Sequence, residues 1–129
     1  MSKNTKHLEE HFQSILISFG IADSFEREYI FINKLVRQLD ERFEHMQDWR
    51  FDFADIKNRI AVEIDGGIWR GRSGAHTSPA GKIRDNQKGN AATILGWRLL
   101  RYSTKDDMSD FIRDYGLILQ SQQQGNGNG

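Results

Sequence analysis

Apolar residues recur along this chain with two periods, and the places where the period changes divide it into elements. Leu8, Phe12, Ile15, Leu16 and Phe19 are spaced as one face of an α-helix, and Gly20 suits its C-terminal end. Between residues 24 and 45 the pattern is ambiguous. Phe25, Tyr29, Ile32, Leu35, Val36, Leu39 and Phe43 fit one long helix, while residues 27–32 also read as a strand. We adopt a strand near 27–32, which sets Glu28 beside the next element, and then a helix over 33–46 whose charged residues form a solvated face. The stretch WRFDFADIKNRIAVEID, residues 49–65, alternates with period two on both sides of Lys57-Asn58 and predicts an antiparallel hairpin. A helix over 82–95, with Ile83, Ala91, Ile94 and Leu95 inward, follows a long loop. A largely buried strand over 97–103 and a helix capped near Thr104, carrying Met108, Phe111, Ile112, Tyr115 and Ile118, complete the pattern. From residue 120 onward the chain has no apolar content, which predicts a disordered tail over 120–129.

The hairpin is where chemistry enters. If its loop is symmetric about Lys57-Asn58, Phe51 faces Ile64, Phe53 faces Val62 and Asp55 faces Ile60 on the core side. On the other side Asp52 then lies across from Glu63, with Asp65 two residues along. Directly opposed side chains have Cβ atoms about 5 Å apart, and bare carboxylates at that spacing repel unless a cation sits between them. Mg²⁺, which takes oxygen ligands and is commonly held by one or two carboxylates, suits Asp52 and Glu63, with Asp65 as a further ligand. On this reading, deleting either acid relieves repulsion and leaves the fold intact.

Composition narrows the rest. A chain of 129 residues makes one domain, assigned to 1–119 with a helical insertion over 33–48. Lys and Arg number 18, as do Asp and Glu, so any attraction for nucleic acid must come from a local patch. Cysteine is absent, which excludes disulfides, thiolate nucleophiles and Cys-bound zinc. No apolar run reaches membrane-spanning length and the start is polar, so a cytoplasmic location without membrane contact is expected.

The loop GGIWRGRSGAHTSPAG, residues 66–81, is too long to be mere connection, and its five glycines predict mobility that ends on binding a ligand. Arg70 and Arg72 suit phosphate contacts. Trp69 reads equally well as a stacking platform or a core plug, and His76 as a general acid, a partner of metal-bound water, or neither. With Lys82, Arg84 and Lys88 the arginines set five cations against one acid, Asp85, next to the carboxylates.

In order, the elements are helix, strand, strand, strand, helix, strand, helix. With LEEHF, EREYIF, WRFDFAD, AVEIDGGIW, AHT, RDNQKGNAATILGW and RLLRYS in sequence, the chain resembles the PD-(D/E)xK nuclease superfamily. Within it the likeness is to the restriction-endonuclease-like group allied to very-short-patch-repair endonucleases, including small phage-type enzymes. The resemblance implies an α/β fold with a restriction-endonuclease-like αβββαβ core, a mixed central sheet flanked by helices. It implies a Mg²⁺-dependent endodeoxyribonuclease, with Mn²⁺ as an alternative metal, acting on branched or otherwise structured DNA in a bacterial or phage setting; a homodimer stays open. Metal binding falls to Asp52 and Glu63, with Glu9 matching a helix acid that reaches the metal through water; Glu9 also suits the helix dipole. Asp65 stands where the superfamily's motif has lysine, which leaves Lys88 as the best substitute cation; an ion pair with Asp85 is the competing role for that lysine. A non-cutting DNA- or protein-binding module on the same fold is the opposing class.

Overall fold

Most of the two-period pattern is realised, with helices covering both faces of one sheet. The computed structural model describes residues 3–66 and 78–127. Trp69, Arg70, Arg72 and His76, and the mobility expected of their loop, lie outside the described residues. Helix α1, Lys3–Ser18, buries Leu8, Phe12 and Leu16, whereas Phe19 falls beyond its end and is exposed. Gly20 turns the chain with φ of 70°, a conformation that suits glycine. Strand β1 spans Glu26–Ile30.

The helix expected over 33–46 is only α2, Lys34–Leu39. Asn33 caps its start by accepting the Val36 N–H. At Asp40 the backbone is extended and the carboxylate accepts the Arg42 N–H, a local bond that competes with helix continuation. A 3₁₀ turn, Glu41–Phe43, then drives Phe43 into the core, leaving Leu35 and Leu39 exposed.

Strands β2, Arg50–Asp55, and β3, Ile60–Ile64, form the hairpin in the expected register, with Phe53 across from Val62 and Asp55 across from Ile60. Asp55 is buried, and its carboxylate accepts the Asn58 N–H and side-chain amide at the turn and the Tyr115 hydroxyl from the far helix. Arg59, at φ 56°, closes the turn. Ser78 caps helix α3, Pro79–Ile94, which therefore starts three residues earlier than the apolar pattern suggests, with proline at its first position. The expected inward face of this helix is also corrected. Ala91 and Ala92 are buried, while Ile83 and Ile94 are more than half exposed, because the helix approaches the sheet through its small residues. Strand β4, Arg98–Tyr102, runs parallel to β3, giving a mixed sheet in the order β1-β2-β3-β4.

After β4 a capping box between Thr104 and Asp107 starts the one-turn α4, Lys105–Met108, and α5, Phe111–Gly127, lies beyond it. Helical backbone thus continues past residue 120, where composition predicts disorder; the run of glutamines is compatible with helix, and Gln122 ties it back to the Asn58 carbonyl at 2.9 Å. Among the described residues no helix is long and apolar enough to cross a membrane.

The sheet separates two apolar clusters. One gathers Phe12, Leu16, Phe53, Val62, Ile64, Met108 and Phe111 from the α1 and α5 side. The other holds Phe31, Phe43, Phe51, Ala54, Ala61, Ala91 and Trp97 from the α3 side. Phe51 therefore departs from its expected place beside Phe53. Strand β2 turns over at Asp52, and β1 does the same at Glu28, which takes φ of 51° between the Arg27–Phe53 and Tyr29–Phe51 pairs. Strict alternation assumes a regular strand, and neither strand is regular at that level.

Candidate active site

The reversal at Glu28 and Asp52 coincides with a fork. The β2–β3 ladder reaches Phe53–Val62; beyond it β2 stays paired with β1 as far as Arg50, and β3 stays paired with β4 as far as Tyr102. Two carboxylates enter the gap. The Asp52 N–H donates to Glu63 Oε2 at 3.2 Å, and the Ile64 N–H donates to Asp52 Oδ2 at 2.7 Å. Each acid thus satisfies a backbone donor that the parted strands would otherwise leave buried and unpaired. This changes the expectation drawn from repulsion alone: removing either side chain also orphans an N–H.

Lys88 reaches the fork from α3. Its Nζ is ion-paired with Glu63 Oε1, and it lies 5.9 Å from the centre of the Phe51 ring. The partner of this lysine is the strand glutamate rather than Asp85, which is exposed on the same helix. Lys82 and Arg84 are exposed further toward the start of α3. Asp65 follows β3 and is half-buried, its N–H donating to the Tyr102 carbonyl at 2.8 Å.

Glu9 comes from α1, which passes close to the end of β3: a Cβ on Gly66 would stand 3.4 Å from Thr5 Oγ1 and 3.6 Å from Leu8 Cδ1. Glu9 is 3 % exposed, and its Oε2 is buried with no hydrogen-bond partner. Burial raises its pKa, and Glu28 and Glu10 add to the rise. Arg27, 3.6 Å from Glu9 Oε1 and bonded to Glu10 at 3.0 Å, opposes it. Sequence reasoning missed Arg27, although its place across from Phe53, over whose ring it lies at 5.1 Å, is legible once the register of β1 is known.

Asp52 carries the strongest perturbation in the cluster. Burial, then the charge of Glu63 and more weakly that of Glu9, push its pKa up to about 7, against the opposing hydrogen bond from Ile64. Even so, among the described residues no three Asp, Glu or His side chains form a ready-made metal site. Asp52 and Glu63 are turned toward backbone donors and Lys88 instead.

Neither a protein-family model nor a curated protein nor a solved structure matches this chain. The site must therefore be read from its own chemistry. It combines a crowded carboxylate pair whose Asp52 is pushed up to about 7, a buried third acid with a free oxygen, and one lysine at the mouth of a strand fork. Such a cluster can bind a cation, exchange a proton near neutral pH, and present an ammonium to an anion.

Proposed function

We propose that this chain is a divalent-metal-dependent endonuclease that hydrolyses phosphodiester bonds in DNA, built on a restriction-endonuclease-like αβββαβ core. The observation that carries the reading is the fork itself, which brings Asp52, Glu63 and Lys88 together from β2, β3 and α3. Two features suit a divalent cation there. Glu9 keeps a buried oxygen without a partner, and the Asp52 carboxyl is raised to about 7 by burial and then by the charge of Glu63, which a cation would offset. When bound, Mg²⁺ or Mn²⁺ supplies Lewis-acid polarisation of a phosphoryl oxygen and a more acidic water. Asp52 and Glu63 would hold it, with the backbone N–H groups fixing the carboxylate orientation. Asp65 and Glu9 would serve as further ligands, Glu9 through water. Lys88, which pairs with Glu63 at the fork, would face the charge that develops on the attacked phosphate, the group that Asp65 does not supply. Arg84 and Lys82 on the exposed side of α3 suit contacts to neighbouring phosphates.

One observation favours a second reading, a nucleic-acid- or protein-binding module that does not cut. Lys88 already neutralises Glu63, so the fork has an internal cation and needs no metal for stability. Incubation of the purified chain with plasmid, branched and single-stranded DNA in Mg²⁺ separates the two. The nuclease reading expects cleavage that Asp52→Asn or Glu63→Gln abolishes, and that Lys88→Met lowers on the order of a hundredfold, as for loss of one charge-stabilising contact. Wild-type turnover in the two amide variants would sink it, and a calorimetric titration with Mg²⁺ that releases no heat would favour the non-cutting module.

A further inference from the structure

At the turn end of the β2–β3 hairpin, a cleft of about 500 Å³ opens between three elements. The turn lines it with Lys57, Asn58 and Arg59, the start of β4 with Arg98, and α5 with Ser121 and Gln122. We propose that this cleft is an anion site for a short chain of adjacent phosphate groups, as in inorganic polyphosphate or a nucleoside triphosphate. Such a site is separate from the fork and independent of any chemistry there. In the β3–β4 register Arg98 stands beside Ile60 and Arg101 beside Glu63, so three residues, ~10 Å of strand, lie between the cleft and the carboxylates.

Charge is the first argument. The lining holds three cations and no acid. Over the whole chain basic and acidic residues are equal at 18 each, and Arg27, Arg37, Arg42, Arg50 and Arg113 all pair with carboxylates. Among the described residues no carboxylate pairs with Lys57, Arg59 or Arg98. Asp55, the acid of the same turn, is buried with both oxygens occupied by Asn58 and Tyr115. Lys57 also borders the neighbouring cleft of Asp23 and Glu26, without an ion pair to either. Like charges around one cavity repel one another, so the arrangement is unfavourable until an anion enters it.

Geometry is the second. The Arg59 guanidinium lies 4.9 Å from the centre of the Trp97 ring. Stacking on an aromatic face orients a guanidinium while leaving the N–H groups at its edge for an acceptor in its plane, which suits phosphate oxygens. Among the described residues neither the Arg59 nor the Arg98 side chain has a hydrogen-bond acceptor. Their backbones are joined, the Arg98 N–H donating to the Arg59 carbonyl at 2.8 Å, and the Gln122 amide holds the Asn58 carbonyl at 2.9 Å, so the walls are tied together. Arg59 sits at φ 56°, a conformation that glycine or asparagine adopts at lower cost, so a long cationic side chain is not what the turn itself asks for.

Adjacent phosphates fit this arrangement better than separated ones. Lys57 and Arg59 are two residues apart in one turn, and Arg98 is bonded to that turn. The charges therefore close around one cavity of small-ligand size instead of forming a groove along which a nucleic-acid backbone could run.

Calorimetric titration of the full chain in EDTA tests this, because chelation keeps metal ions from bridging an anion to the fork. Inorganic tripolyphosphate should bind at a single site, about tenfold or more tighter than orthophosphate, since its further groups reach further cations. Arg59→Asn, which suits the φ of the turn, and Arg98→Gln should each weaken it about tenfold, as for loss of one charge-assisted contact. Arg101→Gln on the same strand and Arg84→Gln on α3 remove exposed charges outside the cleft and should leave the affinity within about twofold. Arg98 is exposed on the edge strand, so its variant decides if Arg59→Asn fails to fold. ATP that binds as tightly as tripolyphosphate, with the same losses in the cleft variants, identifies a nucleotide as the source; tripolyphosphate binding without ATP binding identifies free polyphosphate. No binding, equal affinity for orthophosphate, or losses in the two outside variants as large as in the cleft variants overturns the site. A short DNA duplex that displaces tripolyphosphate and loses affinity in the same cleft variants overturns it too, because the cleft would then be reading separated phosphates.

Discussion

At the scale of single residues, Asp52 carries a consequence for stability that needs no substrate. Folding raises its pKa from an ordinary 3.8 to about 7, chiefly through burial and then through Glu63. Between those values the native state holds a proton that the unfolded chain has released. Metal-free protein should therefore be most stable below about pH 4 on this account, and lose stability as pH rises through 7, with a slope of up to ~1.4 kcal/mol per pH unit. Asp52→Asn, which still accepts the Ile64 N–H, should flatten that slope in denaturant titrations run from pH 5 to 8. An unchanged slope would mean that another group sets it. How much of this was legible in the sequence depends on the residue. The Asp52–Glu63 juxtaposition follows from period-two alternation and a symmetric loop, because register is arithmetic once the turn is placed. The Lys88–Glu63 contact does not, because it depends on how α3 packs on the sheet, which no local pattern encodes. The opposite turning of Phe51 and Phe53 was hidden as well, since a reversal inside a strand leaves the spacing of apolar letters intact.

At the scale of elements, the turn of the hairpin is held from outside as well as within. Asp55 is 1 % exposed and accepts three bonds, two from Asn58 and one from the Tyr115 hydroxyl on α5. Tyr115→Phe removes one donor and leaves Asp55 the two from Asn58, so it should cost about 1 kcal/mol. Asp55→Ala orphans the Tyr115 hydroxyl and the turn amides together and should cost about 3 kcal/mol. Urea denaturation of the two variants checks the ratio, and equal losses would show that the turn is not what Asp55 supports. The elements that sequence reasoning misjudged share one cause. The helix expected over 33–46 and the inward face expected of α3 were both read from apolar spacing, whereas α2 stops at a side-chain bond from Asp40 and α3 packs through Ala91 and Ala92. Polar local competition and close approach through small residues leave little trace in a hydrophobic pattern.

At the scale of the whole molecule, the sheet is shared by two apolar clusters, one on each face. Phe12 lies 4.8 Å from both Phe53 and Phe111, and Phe51 stacks on Phe31 at 3.9 Å and meets Trp97 at 5.0 Å. Phe12→Ala and Phe51→Ala should each cost about 3–5 kcal/mol. Both should unfold in a single transition, because strands common to the two clusters cannot lose one face and keep the other. Two resolved transitions in calorimetry of either variant would contradict this. Phe51→Ala should additionally loosen Lys88, whose ammonium lies beside that ring.

The fork also constrains how this sequence can drift. Since Asp52 and Glu63 each occupy a backbone N–H of the facing strand, an apolar replacement at either position strands a buried donor at about 1–3 kcal/mol. An amide keeps an oxygen at the same place and sheds the charge. A lineage released from selection for chemistry can therefore leave by a narrow door, Asp52→Asn and Glu63→Gln, and its descendants would retain the outline of the site in isosteric form long after its reactivity had gone.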